Sequence, residues 1–187
     1  MKYGKIYETV QKWDKDSNSF IDTPYHNAVF VAYDREGRPQ QAFLRGTQSH
    51  SDKPFKRDLD LSDKSYPFTL SGYPNSDRVI CFESAIDAIS HACICRREGF
   101  NWRDEQRISL GGTSFVGLER FLSENPHITK IAAALDNDAT GDKRSAKLIE
   151  EYSARGYQAV RLKPSAKDWN EDNLADLQEE DEDELSL

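Results

Sequence analysis

Val79-Ile80-Cys81-Phe82-Glu83 is a short apolar, β-rich run closed by an acid, and the spacing of apolar residues downstream of it decides the fold. Ala85, Ile86, Ile89, Ala92 and Cys93 come next at helical spacing. Ile108-Ser109-Leu110 then runs into Gly111-Gly112, and Phe115, Leu118, Phe121 and Leu122 mark a second helix. Lys130 to Leu135 reads as a third strand. The helix after it carries Ala146, Ile149 and Tyr152 on one face and ends at Gly156, as a C-cap glycine would end it. Gln158 to Leu162 is a fourth strand, closed by Pro164. Strands too apolar to face water, alternating with helices, predict a mainly parallel four-stranded sheet covered on both faces. Right-handed crossovers leave few topologies. The reading is a doubly wound α/β domain over residues 77–175.

Residues 1–76 differ. Ala28 to Tyr33 and Gln41 to Leu44 flank Asp34-Arg35-Glu36-Gly37-Arg38-Pro39, a β-hairpin pattern. Polar stretches with scattered aromatics come after it (Phe55, Tyr66, Phe68, Tyr73), giving a small β-rich subdomain with an irregular connector. The stretch from Asp176 to Leu187 carries seven acids and no base, which leaves the rest of the 187-residue chain near neutral out of a total of −8. Such a block reads as a solvated, disordered tail over 176–187.

Composition narrows the function classes. Charged residues make up 31% and mean hydropathy is −0.79, with no apolar run near the ~20 residues of a membrane span. The first residues lack the apolar core of a secretory signal, so the expected setting is cytoplasmic, without membrane contact. Cys81, Cys93 and Cys95 form no CxxC pair and cannot make a four-ligand zinc site. His91 and Cys95 share a helix face at i,i+4, but small buried thiols on a core helix are the plainer reading.

In an open parallel sheet, ligands bind beyond the carboxyl ends of the strands. Here those ends deliver Glu83, then Asp136 with Asp138, then Lys167-Asp168, while the remaining strand delivers the Gly111-Gly112 backbone. Carboxylates on one rim repel one another unless a cation joins them. Oxygen donors without His or Cys point to Mg²⁺ or Mn²⁺, and so to phosphoryl-transfer chemistry. Each acid has a plainer role too. Asp138 is a fitting N-cap, Asp136 a loop acid, Glu83 a favourable charge at a helix start and Asp87 a solvated first-turn acid. Their joint arrival at three strand ends favours a site.

A strand ending in Glu83, a helix, a Gly-bearing turn and a strand ending in Asp136-Asn137-Asp138 resemble the Toprim domain. That module is shared by bacterial primases, type IA and type II topoisomerases and several nucleases. The resemblance spans residues 78–175. Phe82-Glu83-Ser84-Ala85-Ile86-Asp87-Ala88 looks like the primase form of the first motif, and Lys167-Asp168 like the primase Lys-Asp pair. The KDWNED segment is also similar to that of Toprim proteins of plasmids and other mobile elements. The resemblance implies that Glu83 is a general acid/base near the metal and that Asp136 and Asp138, with Glu83, hold Mg²⁺ or Mn²⁺. It further implies that Asp168 is an additional catalytic acid and that Asp87 supports the site. Arg45, Lys64, Lys143 and Lys167, with the Gly111-Gly112 backbone, are the phosphate-contact candidates. Implied partners are single-stranded DNA or another nucleic acid, nucleotides, and a larger replication protein or helicase. A primase-like nucleotidyltransferase is the leading expectation. A Toprim nuclease or a non-catalytic nucleic-acid-binding module is the alternative.

Overall fold

A computed structural model describes residues 7–47, 55–112 and 114–185. The chain divides into two compact units at Tyr66/Pro67, so the boundary falls earlier than the 76/77 position read from sequence.

The first unit is a four-stranded antiparallel sheet in chain order: β1 (Tyr7–Asp14), β2 (Ser19–Tyr33), β3 (Pro39–Gly46) and β4 (Lys56–Asp58). The expected hairpin is β2–β3, with Phe30 opposite Phe43. Its turn is set by Asp34, whose carboxylate accepts from the Arg38 amide and guanidinium, and by Gly37 at φ 78°. Strands β1 and β4 escaped the sequence reading. β1 closes onto β2 through a turn in which the Asp14 carboxylate accepts from the Ser17 amide and hydroxyl, with Asn18 at φ 50°.

The second unit holds β5 (Phe68–Leu70), β6 (Arg78–Phe82), α1 (Ala85–Arg97), a single 3₁₀ turn (Trp102–Asp104), β7 (Gln106–Ser109) and α2 (Val116–Glu124). β8 (Lys130–Ala133), α3 (Ala139–Ala154), β9 (Gln158–Arg161) and α4 (Trp169–Leu185) complete it. The sheet order is β5-β7-β6-β8-β9. The four expected strands are parallel, and β5 adds an antiparallel edge against β7. That fifth strand comes from the stretch read as irregular connector. Three residues are too few for a periodicity signal, and only pairing with β7 makes them a strand.

β6 is buried on both faces, so its side chains alternate between two cores. Val79 and Cys81 meet Leu118, Phe121, Leu122, Leu148 and Tyr152 from α2 and α3. Ile80 and Phe82 meet Ala88, Ile94 and Trp169 from α1 and α4.

Two helices are rotated from their expected faces. On α1, Ile89 and Cys93 are exposed, while Asp87, Ser90 and His91 are buried. Each buried polar group has a partner: Ser84 for Asp87, Asn170 for Ser90 and Arg107 for His91. On α3 the buried stripe is Gly141, Ser145, Leu148 and Tyr152, and Ala146 faces solvent. Gly141 sets this rotation, because a Cβ there would lie 2.1 Å from the Asp136 carbonyl oxygen. Gly156 does end the helix at φ 92°. Cys81 is buried on its strand, but the helix thiols read as buried are not: Cys93 is exposed and Cys95 half-buried.

α4 runs on to Leu185, so through that residue the segment read as a disordered tail is helical, and 186–187 lie outside the described residues. Its start is tied down by long-range partners. Trp169 Nε1 donates to the Ala134 carbonyl at 3.0 Å, and Arg97 donates to Asn173 and Asp176, both at 2.7 Å. No helix among the described residues is long and apolar enough to cross a membrane.

His91 stacks edge-on to Trp169, 4.7 Å between ring centres, and its Nδ1 accepts from Arg107 Nε at 3.2 Å. The place a metal would take between His91 and Cys95 is thus served by a guanidinium, which also donates to Cys95 Sγ. Burial, and then the Arg107 charge, push the imidazole down to about 3. The unfolded chain takes up a proton below pH 6.5 that folded His91 refuses, so this contribution is complete above 6.5 and shrinks as pH falls towards 3. Between pH 7 and 5 the wild type should lose about 2 kcal/mol relative to a His91→Gln variant. Denaturant titrations of both proteins at the two pH values check this, and a constant difference between them overturns it.

Candidate active site

The carboxyl end of the second unit's sheet gathers the acids. Glu83 comes directly after β6. Ser84 then N-caps α1, accepting from the Asp87 amide, while its hydroxyl donates to Asp87 Oδ2 at 2.6 Å. Asp87 is 5% exposed. Burial raises its carboxyl above the ordinary range and the Asp168 charge adds to this, against the lowering bonds from Ser84 and the Asn170 amide.

Asp136 is the centre of the arrangement. Its carboxyl is pushed up to about 7, by burial first and then by the charges of Glu83, Asp87, Asp168 and Asp138 in that order. The five acids therefore share one electrostatic neighbourhood, though they come from three separate strand ends. The Asp136 backbone is held from both sides. Arg161 Nη2 donates to its carbonyl at 2.9 Å while Nη1 serves the carbonyls of Ala133 and Leu135, and Gly141 packs against it. The Asn137 amide donates to the Lys167 carbonyl at 2.7 Å, and its side chain donates to Pro164 and Ser165. This stitches the Asp136 loop to the Lys167-Asp168 loop.

Two acids also have the plainer duties open to them. Asp138 N-caps α3, accepting from the Gly141 amide at 2.7 Å. Asp168 accepts from the Glu171 amide at 2.8 Å at the start of α4. Glu83 pairs with Arg144, Nη1 to Oε1 at 3.2 Å. With these side chains so engaged, no group of three or more His, Cys, Asp or Glu among the described residues stands at ligating distance, the trio Glu83, Asp136 and Asp138 included. The donor chemistry still fits a hard cation. All five groups are carboxylates, and a divalent charge would relieve the repulsion that, after burial, keeps Asp136 high. Mg²⁺ characteristically takes one or two protein carboxylates and completes its shell with water and phosphate oxygens, so a closed protein cage is not required.

Of the phosphate-contact candidates, Gly111 and Gly112 stand at this rim. The Gly111 amide donates to the Glu83 carbonyl with φ at 59°, and the Gly112 carbonyl accepts from Arg144. Lys143 is exposed on α3 and Lys167 on the neighbouring loop. Arg45 and Lys64 belong to the first unit, where Arg45 sits on β3 and Lys64 pairs with Asp58 at 2.9 Å. Arg144, Arg161 and Gly141 were missed from sequence. The spacing Asp136-x-Asp138-x-x-Gly141 was the available signal for the glycine. No local pattern pairs Glu83 with Arg144 or Arg161 with the end of β8.

A family model described as Toprim-like matches residues 80–173, half of the chain, and the protein belongs to that family. A second model, described as a protein of unknown function (DUF3991), matches residues 3–73. Solved structures agree on the fold. The primase fragment of the bacteriophage T7 primase-helicase protein superposes with a TM-score of 0.56 at 16% identity, covering 81% of this chain and 62% of that one. The Aquifex aeolicus primase, with its zinc-binding and RNA polymerase domains, gives 0.55 at 18% identity, over 84% and 39%. The E. coli primase catalytic core gives 0.52 at 16%, over 88% and 51%. The chain thus spans under two thirds of each of these relatives. No curated protein matches it in sequence. The chain is a Toprim protein with the fold of primase catalytic cores.

Proposed function

We propose that this chain is the catalytic core of a metal-dependent, primase-like nucleotidyltransferase that acts on nucleic acid in the cytoplasm, in the replication of a mobile element. The observation that carries the reading is Asp136, held half-buried at a strand end and surrounded by the charges of Glu83, Asp87, Asp168 and Asp138. Mg²⁺ or Mn²⁺, held by Asp136 and Asp138 with Glu83, would neutralise the transferring phosphoryl group and activate the attacking oxygen. The chain's own residues do the rest. Glu83 accepts the proton of the attacking 3′-hydroxyl. Asp168 serves as a further acid at the rim, and Asp87, fixed by Ser84 and the Asn170 amide, keeps the first turn of α1 in place behind it. The Gly111-Gly112 turn lets backbone approach a phosphate closely, with Lys143 and Lys167 at its sides. Arg45 and Lys64 are proposed to contact template phosphates. A helicase or larger replication protein is the expected partner.

End-labelled single-stranded DNA, incubated with ribonucleotides and Mg²⁺ or Mn²⁺, tests the reading. New or extended strands are expected, reduced about 10²–10⁴-fold in Glu83→Gln, the range for losing a general base. Shortened strands lost in the variant would replace the polymerase reading by a nuclease. No change in any lane would overturn catalysis by the chain alone.

A further inference from the structure

Arg144 is an unusual occupant of this rim. It projects from the second turn of α3 into the space between Glu83 and the Gly111-Gly112 turn, and its side chain is 13% exposed. Nη1 meets a single oxygen of Glu83 at 3.2 Å, Nη2 donates to the Gly112 carbonyl, and Nε is buried with no partner among the described residues. A guanidinium offers five donors in a flat fork matched to two oxygens of a carboxylate or phosphate. Here that fork is split between two partners, Nη1 on one carboxylate oxygen and Nη2 on the Gly112 carbonyl, and Glu83 keeps 28% of its side chain in solvent. Beside the pair there is room, because a Cβ built on Gly112 meets nothing within 4 Å. Two further cations stand on the Arg144 side of a rim that otherwise carries carboxylates. Lys143 is exposed on the same helix, and Lys147 stands 5.9 Å from the centre of the Phe115 ring just past the glycine turn.

We propose that Arg144 is a phosphate-binding residue of this site, held on Glu83 until substrate arrives. Phosphate oxygens entering beside Gly112 take the guanidinium fork in both-oxygen geometry, and Glu83 and the Gly112 carbonyl are released by the same exchange. Binding the anion and freeing the carboxylate become one event, so the base is exposed only when a phosphate is in place. The ligand class is a phosphoester or polyphosphate oxyanion, whether the triphosphate of a nucleotide or the backbone of a strand. The proposal rests on the proposed function, in which the Glu83 rim is the reaction site.

The exchange makes a prediction that a merely structural ion pair does not. Glu83 competes with the anion for Arg144, so removing its charge must tighten anion binding. Calorimetric titrations in EDTA, with inorganic triphosphate, ATP and a short single-stranded oligonucleotide as separate probes, read this directly. Glu83→Gln is expected to raise affinity at least fivefold for the probe that uses the site, and Arg144→Ala to lower it at least tenfold. Arg144→Lys, which keeps the charge without the fork, falls between. Adding Glu83→Gln to Arg144→Ala should change affinity less than twofold, which separates competition for one guanidinium from general relief of negative charge. A gain with triphosphate and ATP assigns the nucleotide, and a gain with the oligonucleotide assigns the strand. Unchanged affinity in Glu83→Gln, or an equal gain with and without Arg144, overturns the proposal. Should Arg144→Ala fail to fold, Glu83→Gln and Arg144→Lys decide alone. A strand assay without product would sink the polymerase reading and leave this competition standing, whereas product with no competition would sink only the latch.

Discussion

Asp136→Asn should weaken Mg²⁺ or Mn²⁺ binding by more than tenfold and, without metal, make the protein harder to unfold at pH 8. The two effects have one cause. Asp136 sits partly out of water and among four other carboxylates, which pushes it up to about 7 from an ordinary 3.8. A carboxyl with a raised folded-state value favours folding while protonated. That contribution is complete below 3.8 and is lost as pH rises through about 7. At pH 8 the ionised group opposes folding by about 2 kcal/mol, after discounting for the solvent that reaches it. Asparagine removes the charge and the penalty together, and with them the proposed metal's principal ligand. Metal titration at pH 8 and melting of the metal-free protein at pH 5 and 8 check both halves. An unchanged titration sinks the metal assignment. A variant that melts lower than wild type at pH 8 sinks the electrostatic account.

The second large effect lies away from the rim. Arg107→Ala should cost about 3–5 kcal/mol, the range for breaking a buried ion pair by removing one partner. Arg107 lies in β7 with none of its side chain exposed, and it is spoken for on every side. It donates to the carbonyls of Trp102 and Glu105, to the Glu105 carboxylate at 3.2 Å, to His91 Nδ1 and to Cys95 Sγ. Truncation leaves a cavity and strips His91 of its donor. Glu105 would keep one partner, since Arg78 reaches it at 2.6 Å. Arg107→Met, which refills the volume, should therefore lose less than Arg107→Ala. Removing the cation should also let His91 titrate higher, narrowing the pH range below 6.5 over which acid weakens the fold. Urea unfolding of the three proteins at pH 7, repeated at pH 5, distinguishes the outcomes. Equal stabilities for alanine and methionine would mean that the charge network, not the filled volume, sets the whole cost.

The order of elements and the arrival of acids at the rim were legible in the chain itself. Val79 to Phe82, Ile108 to Leu110, Lys130 to Leu135 and Gln158 to Leu162 are apolar runs of strand length separated by helical spacings. Burial on both faces forces that pattern on β6, β7 and β8, whereas β9 is an edge strand with Val160 exposed. Glu83 and Asp136 come with it, because they stand where two of those runs stop, and Asp168 lies in the loop after the fourth. Tertiary structure alone decided the rest, since it depends on groups far apart in sequence. Ile89 and Cys93 lost the core face of α1 to His91 and Ser90 because Arg107 and Asn170 satisfy those polar groups, and periodicity counts only apolar ones. Ala146 lost its place on α3 because Gly141 alone can lie against the Asp136 carbonyl. Phe68 to Leu70 became a strand only by pairing with β7. Glu83 met Arg144 only because two separate crossovers bring α3 beside the end of β6. Local sequence determines the period and ends of each element. The rotation of a helix and the partner of a charge are settled by packing between elements that the chain joins only after folding.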